Sequence, residues 1–136
     1  DLDLSILNEV GNLVETYLTT SNYLVSKNLP IQGKDTIMVV IRDLPGSTKG
    51  QLAPNVITEN GLNILYMDID MFKFDADPAL TAGTIIHELQ HLVNYAYDST
   101  ENISSLNEGL SSYFEADFYQ TVGATFYTTD RDTVSW

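Results

Sequence analysis

The sequence predicts an α+β fold in the order helix, strands, helix, helix, and three observations carry that reading. Apolar residues recur at helical spacing in the first 27 residues and again over about 78–97 and 104–118, while two short β-branched runs lie between the first and second of these segments. No segment repeats at a fixed period and no linker-like stretch interrupts the pattern, so one domain over residues 1–136 is the simplest organisation.

From Leu2 to Lys27, apolar positions at Leu4, Leu7, Val10, Leu13, Val14, Tyr17, Leu18 and Val25 follow the helical period and predict one long helix. Thr36 to Ile41 is β-branched and of strand length, preceded by Gly33 and left through Pro45-Gly46, and it predicts a buried strand. Asp43 to Gly61 holds Pro45, Gly46, Gly50, Pro54 and Gly61 and predicts loop with short strand pieces. Asn63 to Asp70 predicts a second strand, favoured at Ile64, Tyr66 and Ile69, with acidic residues at its far end. Asp77-Pro78 pairs an acidic cap with proline at the first helical position, so a helix starts there and runs to about Tyr97. A last helix begins near Ser104 or Ser105, carries Glu108 in its first turn and continues to about Phe118, with a break at Gly123. The tail to Trp136 has no clear pattern.

Composition removes several functions. Six Lys and Arg against 19 Asp and Glu give a formal charge of -13, which repels nucleic-acid backbones and anionic membranes. No apolar stretch approaches the ~20 residues of a membrane span, and the first residues lack the basic start of a signal peptide. A cleaved signal leaves no trace, and the acidic, cysteine-free composition suits a secreted or cell-envelope enzyme, the expectation here, though it also suits cytosolic proteins. Without cysteine there is no disulfide and no thiolate metal site, so a tightly held transition metal must use His and carboxylates.

His87-Glu88-Leu89-Gln90-His91 supplies the His pair. Four residues apart on a helix, both imidazoles project from one face and reach one ion. At about 100° per residue, His87, Glu88, His91 and Tyr95 share one side, while Ile85, Ile86, Leu89, Leu92, Val93 and Ala96 share the other. A catalytic zinc takes three protein ligands and keeps a fourth position for water. Both histidines of the chain are used, so the third ligand is a carboxylate, with Asp98, Glu101, Glu108 and Glu115 downstream. Glu108 is favoured by its place on the last helix, where Glu115 follows two turns later on nearly the same face. Asp98 stays open as the rival ligand.

Gly83-Thr-Ile-Ile-His-Glu-Leu-Gln-His91, followed by Leu106-Asn-Glu-Gly-Leu-Ser-Ser-Tyr-Phe-Glu115, resembles the paired motifs of the gluzincin zinc metallopeptidases over roughly residues 80 to 118. The resemblance implies a zincin-like catalytic domain: a small mixed sheet, an active-site helix with the His-Glu-x-x-His motif, and a downstream helix whose Asn-Glu-Gly motif supplies the third ligand. Here that motif maps onto Asn107, Glu108 and Gly109 and implies Glu108 as ligand. Gln90 and the phrase Leu-Asn-Glu-Gly-Leu are most similar to the bacterial hyicolysin-like peptidases and less similar to the aminopeptidase family. In these families an oxyanion-stabilising Tyr or His commonly lies further downstream. No segment after Phe118 matches those helices, which leaves Tyr119 or Tyr127 for that role and makes the chain either a compact variant or a piece lacking a C-terminal subdomain.

The chemistry expected is hydrolysis of peptide bonds in a protein or peptide substrate, with Glu88 as the base that activates a zinc-bound water. The alternative is an inactive, metal-binding protease-like domain used for adhesion or assembly. Glu115 is placed to accept a hydrogen bond from a ligand imidazole, with Asp98 and Ser112 as competitors. By analogy with the clan, the strand from Asn63 is the edge on which extended substrate pairs. Simpler readings stand beside these. A first-turn Glu108 satisfies the helix dipole, and Glu115 suits a solvated helix face. Asp68, Asp70, Asp75 and Asp77 suit a solvated acidic loop better than a calcium site, since the EF-hand glycine and terminal glutamate are missing. Tyr113, Phe114, Phe118 and Tyr119 read as core or cleft packing.

Overall fold

A computed structural model describes residues 1–20, 37–52, 63–97 and 104–123. It is an α+β arrangement of three long helices, a short 3-10 turn and a three-stranded mixed sheet. Helix α1 spans Leu4–Thr20, strand β1 Ile37–Arg42, strand β2 Gly50–Leu52 and strand β3 Asn63–Asp68. The 3-10 turn is Ile69–Phe72, helix α2 is Pro78–Tyr97 and helix α3 is Ser104–Val122. No helix among the described residues is long and apolar enough to cross a membrane.

Helix starts follow the chemistry of the residues before them. The Asp3 carboxylate accepts from the backbone N–H of Ser5 at 2.9 Å and of Ile6 at 3.3 Å, which opens α1. Asp77 does the same for α2, accepting from Ala79 at 3.0 Å and Leu80 at 3.4 Å, with Pro78 as first helical residue. The first helix is described to Thr20; the expected remainder to Lys27 lies outside the described residues.

In the sheet, β3 is central. It pairs parallel with β1, Ile37 opposite Asn63 through Arg42 opposite Asp68, and antiparallel with β2, Gly50 opposite Met67. This corrects two expectations. The expected buried strand, β1, stands at an outer position with Met38 45% and Val39 38% exposed, whereas Ile64, Leu65 and Met67 of β3 are buried. And the strand from Asn63 is no edge, because both of its sides are paired. It also stops at Asp68 rather than Asp70: the Asp68 side chain accepts from Asp70 N–H at 3.2 Å and from Leu44 N–H at 2.8 Å, capping the 3-10 turn.

Helix α2 lies over the sheet and between the other two helices. Its Ala82, Ile85, Ile86, Leu89 and Leu92 join Val10 and Tyr17 of α1, Leu65 and Met67 of β3, Phe72, and Phe118 and Tyr119 of α3 in one core. The motif helix is buried on its polar side as well, since Thr81, Thr84, His87 and Gln90 are covered. A two-faced pattern predicts one exposed side; α3, packed on α2, covers part of it and leaves Glu88 and His91 partly exposed. Helix α3 runs four residues past the expected end, because buried Phe118 and Tyr119 hold its last turns in the core, and it stops at Gly123, where φ is 70°. Tyr17 ties α1 to α3, its hydroxyl donating to Asp117 Oδ2 at 2.7 Å and its ring meeting Phe118 edge-on.

Candidate metal centre

Two helices build the site. Helix α2 contributes His87, Glu88 and His91, and α3 contributes Glu108 and Glu115. His87 Nε2 stands 2.8 Å from Glu108 Oε1, and His91 Nε2 stands 3.2 Å from Glu108 Oε2. The two imidazoles meet edge to face with centroids 5.0 Å apart. The carboxylate thus spans both rings, and its pKa falls well below the ordinary range, chiefly through the hydrogen bond with His87, then that with His91, against the opposing effect of burial.

Among the described residues, His87, His91 and Glu108 form a group that can hold a metal ion, with one ligand atom from each within 4.8 Å of the others. Imidazole nitrogens and carboxylate oxygens are donors that a metal ion can take. Two imidazole nitrogens and a carboxylate oxygen, each at zinc bond lengths of ~2.0–2.1 Å, stand roughly 3.3 Å apart around a tetrahedral ion. The two separations run to different oxygens of Glu108, and one donor atom from each residue lies within 4.8 Å of the others, so the side chains would draw in by up to about 1.5 Å to reach that spacing. Contacts of this kind are bridged by protons, and a cation replaces those protons with one charge shared by all three groups.

Behind the triad, His87 Nδ1 donates to Glu115 Oε1 at 3.0 Å. That bond fixes the ring orientation and directs Nε2 to Glu108 and the ligand position. Tyr119 donates its hydroxyl to the other oxygen, Glu115 Oε2, at 2.8 Å. His87, Glu115 and Tyr119 are all buried. The opposite end is open: side-chain exposure rises from 3% at His87 to 18% at His91 and 44% at Glu108.

Two close approaches frame the site. A methyl group on Gly50 of β2 would stand 2.9 Å from Glu88 Cγ, 3.4 Å from its Cδ and 3.1 Å from Met67 Sδ. The outer strand's backbone therefore lies against the Glu88 side chain. A methyl group on Gly83, one turn before His87, would stand 2.4 Å from Tyr119 Cζ and from its hydroxyl oxygen.

No protein-family model, curated protein or solved structure matches the chain.

The structure brings together the three expected ligands, puts Glu115 on the far nitrogen of His87, and sets Glu88 beside β2. Asp98 and Glu101, the other ligand candidates, and Tyr127 lie outside the described residues, as do the side chains of Tyr95 and Asn107. Tyr119, one of the two tyrosines considered as oxyanion donors, is buried with its hydroxyl on Glu115, on the Nδ1 side of His87. Ser112, the other competitor for a supporting role, has a buried hydroxyl without a hydrogen-bond partner among the described residues. The acidic cluster has structural work: Asp68 and Asp77 cap, and Asp70 pairs with Lys73. Sequence reasoning missed Gly50, Gly83 and the supporting role of Tyr119. The one signal was the four-residue spacing from Glu115 to Tyr119, which stacks them on one face of α3.

Proposed function

We propose that the chain is a gluzincin-type, zincin-like peptidase domain, most similar to the hyicolysin-like peptidases, that hydrolyses peptide bonds with zinc on His87, His91 and Glu108. The observation that carries the reading is the convergence of both motif histidines and the glutamate of the second helix on one point, with Glu115 behind the buried imidazole. When bound there, zinc supplies a Lewis acid that polarises a carbonyl and lowers the pKa of water to ~7.

The chain's own residues do the rest. His87, held by Glu115, and His91 present nitrogen lone pairs, and Glu108 adds the negative charge that makes a divalent cation preferable to a monovalent one. The Glu88 carboxylate takes a proton from the attacking water and passes it to the leaving amine, so that a C–O bond forms as the C–N bond breaks. The outer side of β2 has no strand partner among the described residues, and Gly50 brings its backbone against Glu88. An extended peptide pairing there would pass beside the base, which moves the substrate edge from β3, as the sequence alone implied, to β2. A secreted or cell-envelope location belongs to the same proposal.

The test is zinc content by mass spectrometry of wild type, Glu108→Gln and Glu88→Gln, beside cleavage of a denatured protein substrate. Stoichiometric zinc in wild type and Glu88→Gln, loss of zinc in Glu108→Gln, and cleavage by wild type alone support the assignment. Zinc without cleavage turns it to the second reading, a metal-binding domain used for adhesion or assembly. The commitment of Tyr119 to Glu115 favours that reading, since it removes one of the two tyrosines available as oxyanion donors. Absence of zinc from wild type refutes both.

A further inference from the structure

We infer that Tyr119 is a positioning residue for the metal centre, seated by Gly83 and acting through Glu115 to hold His87 in its ligating orientation; this rests on the metal reading above. Four residues at the crossing of α2 and α3 close a circuit. Gly83 and His87 are one turn apart on α2, and Glu115 and Tyr119 are one turn apart on α3. Across the crossing, Tyr119 lies on Gly83 and Glu115 bonds His87.

The hydroxyl has a task that packing does not require. A phenylalanine would keep the ring's edge contact with Phe118, at 5.6 Å between centroids, and its place in the core. It would lose the bond to Glu115 Oε2. A carboxylate that loses one of its fixed donors turns more readily about its terminal torsion, which is soft. Held at both oxygens, its plane is set, and with it the direction in which His87 Nδ1–H points. The absence of a side chain at Gly83 is what lets the tyrosine reach this position. At 2.4 Å from both Cζ and the hydroxyl oxygen, an added methyl group lies well inside any tolerable contact, so the ring must move and the hydroxyl moves with it.

The experiment measures zinc affinity by competition with a chromophoric chelator, and the visible spectrum of the cobalt-loaded protein, for wild type, Tyr119→Phe, Gly83→Ala and Glu115→Gln. Circular dichroism of each chelator-treated protein fixes the folded fraction, so that affinity is expressed per folded molecule. Loss of a direct outer partner costs about 10- to 100-fold in metal affinity. Glu115→Gln is expected in that range, and Tyr119→Phe, one bond further out, at about three- to tenfold. Gly83→Ala is expected to match or exceed Tyr119→Phe, with an altered cobalt spectrum in both. A role in packing alone would lower thermal stability and leave affinity per folded molecule unchanged. Wild-type affinity and spectrum in folded Tyr119→Phe and Gly83→Ala would overturn the inference while leaving the metal site standing. Failure of wild type to bind zinc would overturn the metal reading, and this one with it.

Discussion

On the proposed reading, Gly50→Ala should separate metal binding from catalysis. The new methyl group would lie 2.9 Å from Glu88 Cγ and 3.1 Å from Met67 Sδ, against an ordinary carbon–carbon contact of about 3.5–4.0 Å. Relief therefore needs a displacement of roughly 0.5–1 Å, shared between β2 and the Glu88 side chain. The three ligands lie on α2 and α3, not on β2, so zinc should stay stoichiometric. A misplacement near 1 Å costs about 100-fold in rate, and a base moved by half that distance about tenfold. We expect kcat on a peptide substrate to fall about 10- to 100-fold, with zinc content and far-ultraviolet circular dichroism as in wild type. Overpacking should cost about 1–3 kcal/mol of stability, read by denaturant unfolding. Wild-type kcat would refute the assignment of Glu88 as a base placed against β2. Loss of zinc together with activity would show that the strand supports the ligands, which the geometry denies.

Three further outcomes follow, two from contacts outside the site and one from Glu108 within it. Asp77→Ala removes the cap of the motif helix and should lower stability by about 1 kcal/mol, measured by urea unfolding. Tyr17→Phe deletes the bond to Asp117 that links α1 and α3, with an expected loss of about 1–2 kcal/mol by the same assay and zinc affinity unchanged. In chelator-treated protein, the lowered pKa of Glu108 stabilises the fold above the unfolded carboxylate pKa of 4.5, and that contribution is lost as pH falls below it. Glu108→Gln should therefore lose less stability than wild type on going from about pH 5 to 3; an equal or larger loss would refute the coupling of Glu108 to the two imidazoles.

What the sequence made legible was whatever depends on spacing within one helix. Asp77, Pro78, His87, Glu88 and His91 lie on one continuous element, and cap and motif follow from offsets of one to four residues. Glu108 and Glu115 were legible for the same reason, being two turns apart on α3. The strands were found but their burial was not. A β-branched run such as Ile37–Ile41 has the same composition at an outer or a central position, and strand order is decided by the whole chain. The end of β3 depended on one carboxylate choosing to cap a turn, a bond that alternation along the strand does not encode. Gly50 was read only as a loop breaker. Its contact with Glu88 joins residues 38 positions apart, and nothing local to either predicts it.

Asymmetry between the two motif histidines gives the site a direction. They are four residues apart on one helix, yet His87 is sealed and His91 is partly open, because α3 crosses nearer the N-terminal imidazole with Glu115 and Tyr119 behind it. A rigid ligand held at its far nitrogen and a more accessible one, bridged by a half-exposed carboxylate, leave solvent access on the side of His91 and Glu108. On the proposed reading substrate would approach from there, since Glu115 and Tyr119 lie buried on the other side. Glu88 follows the sealed histidine by one residue, and β2 closes over its side chain. On the proposed reading Glu88 would act at the boundary between the rigid wall and the open side, where a carboxylate can receive a proton from water and still be held in place by the strand.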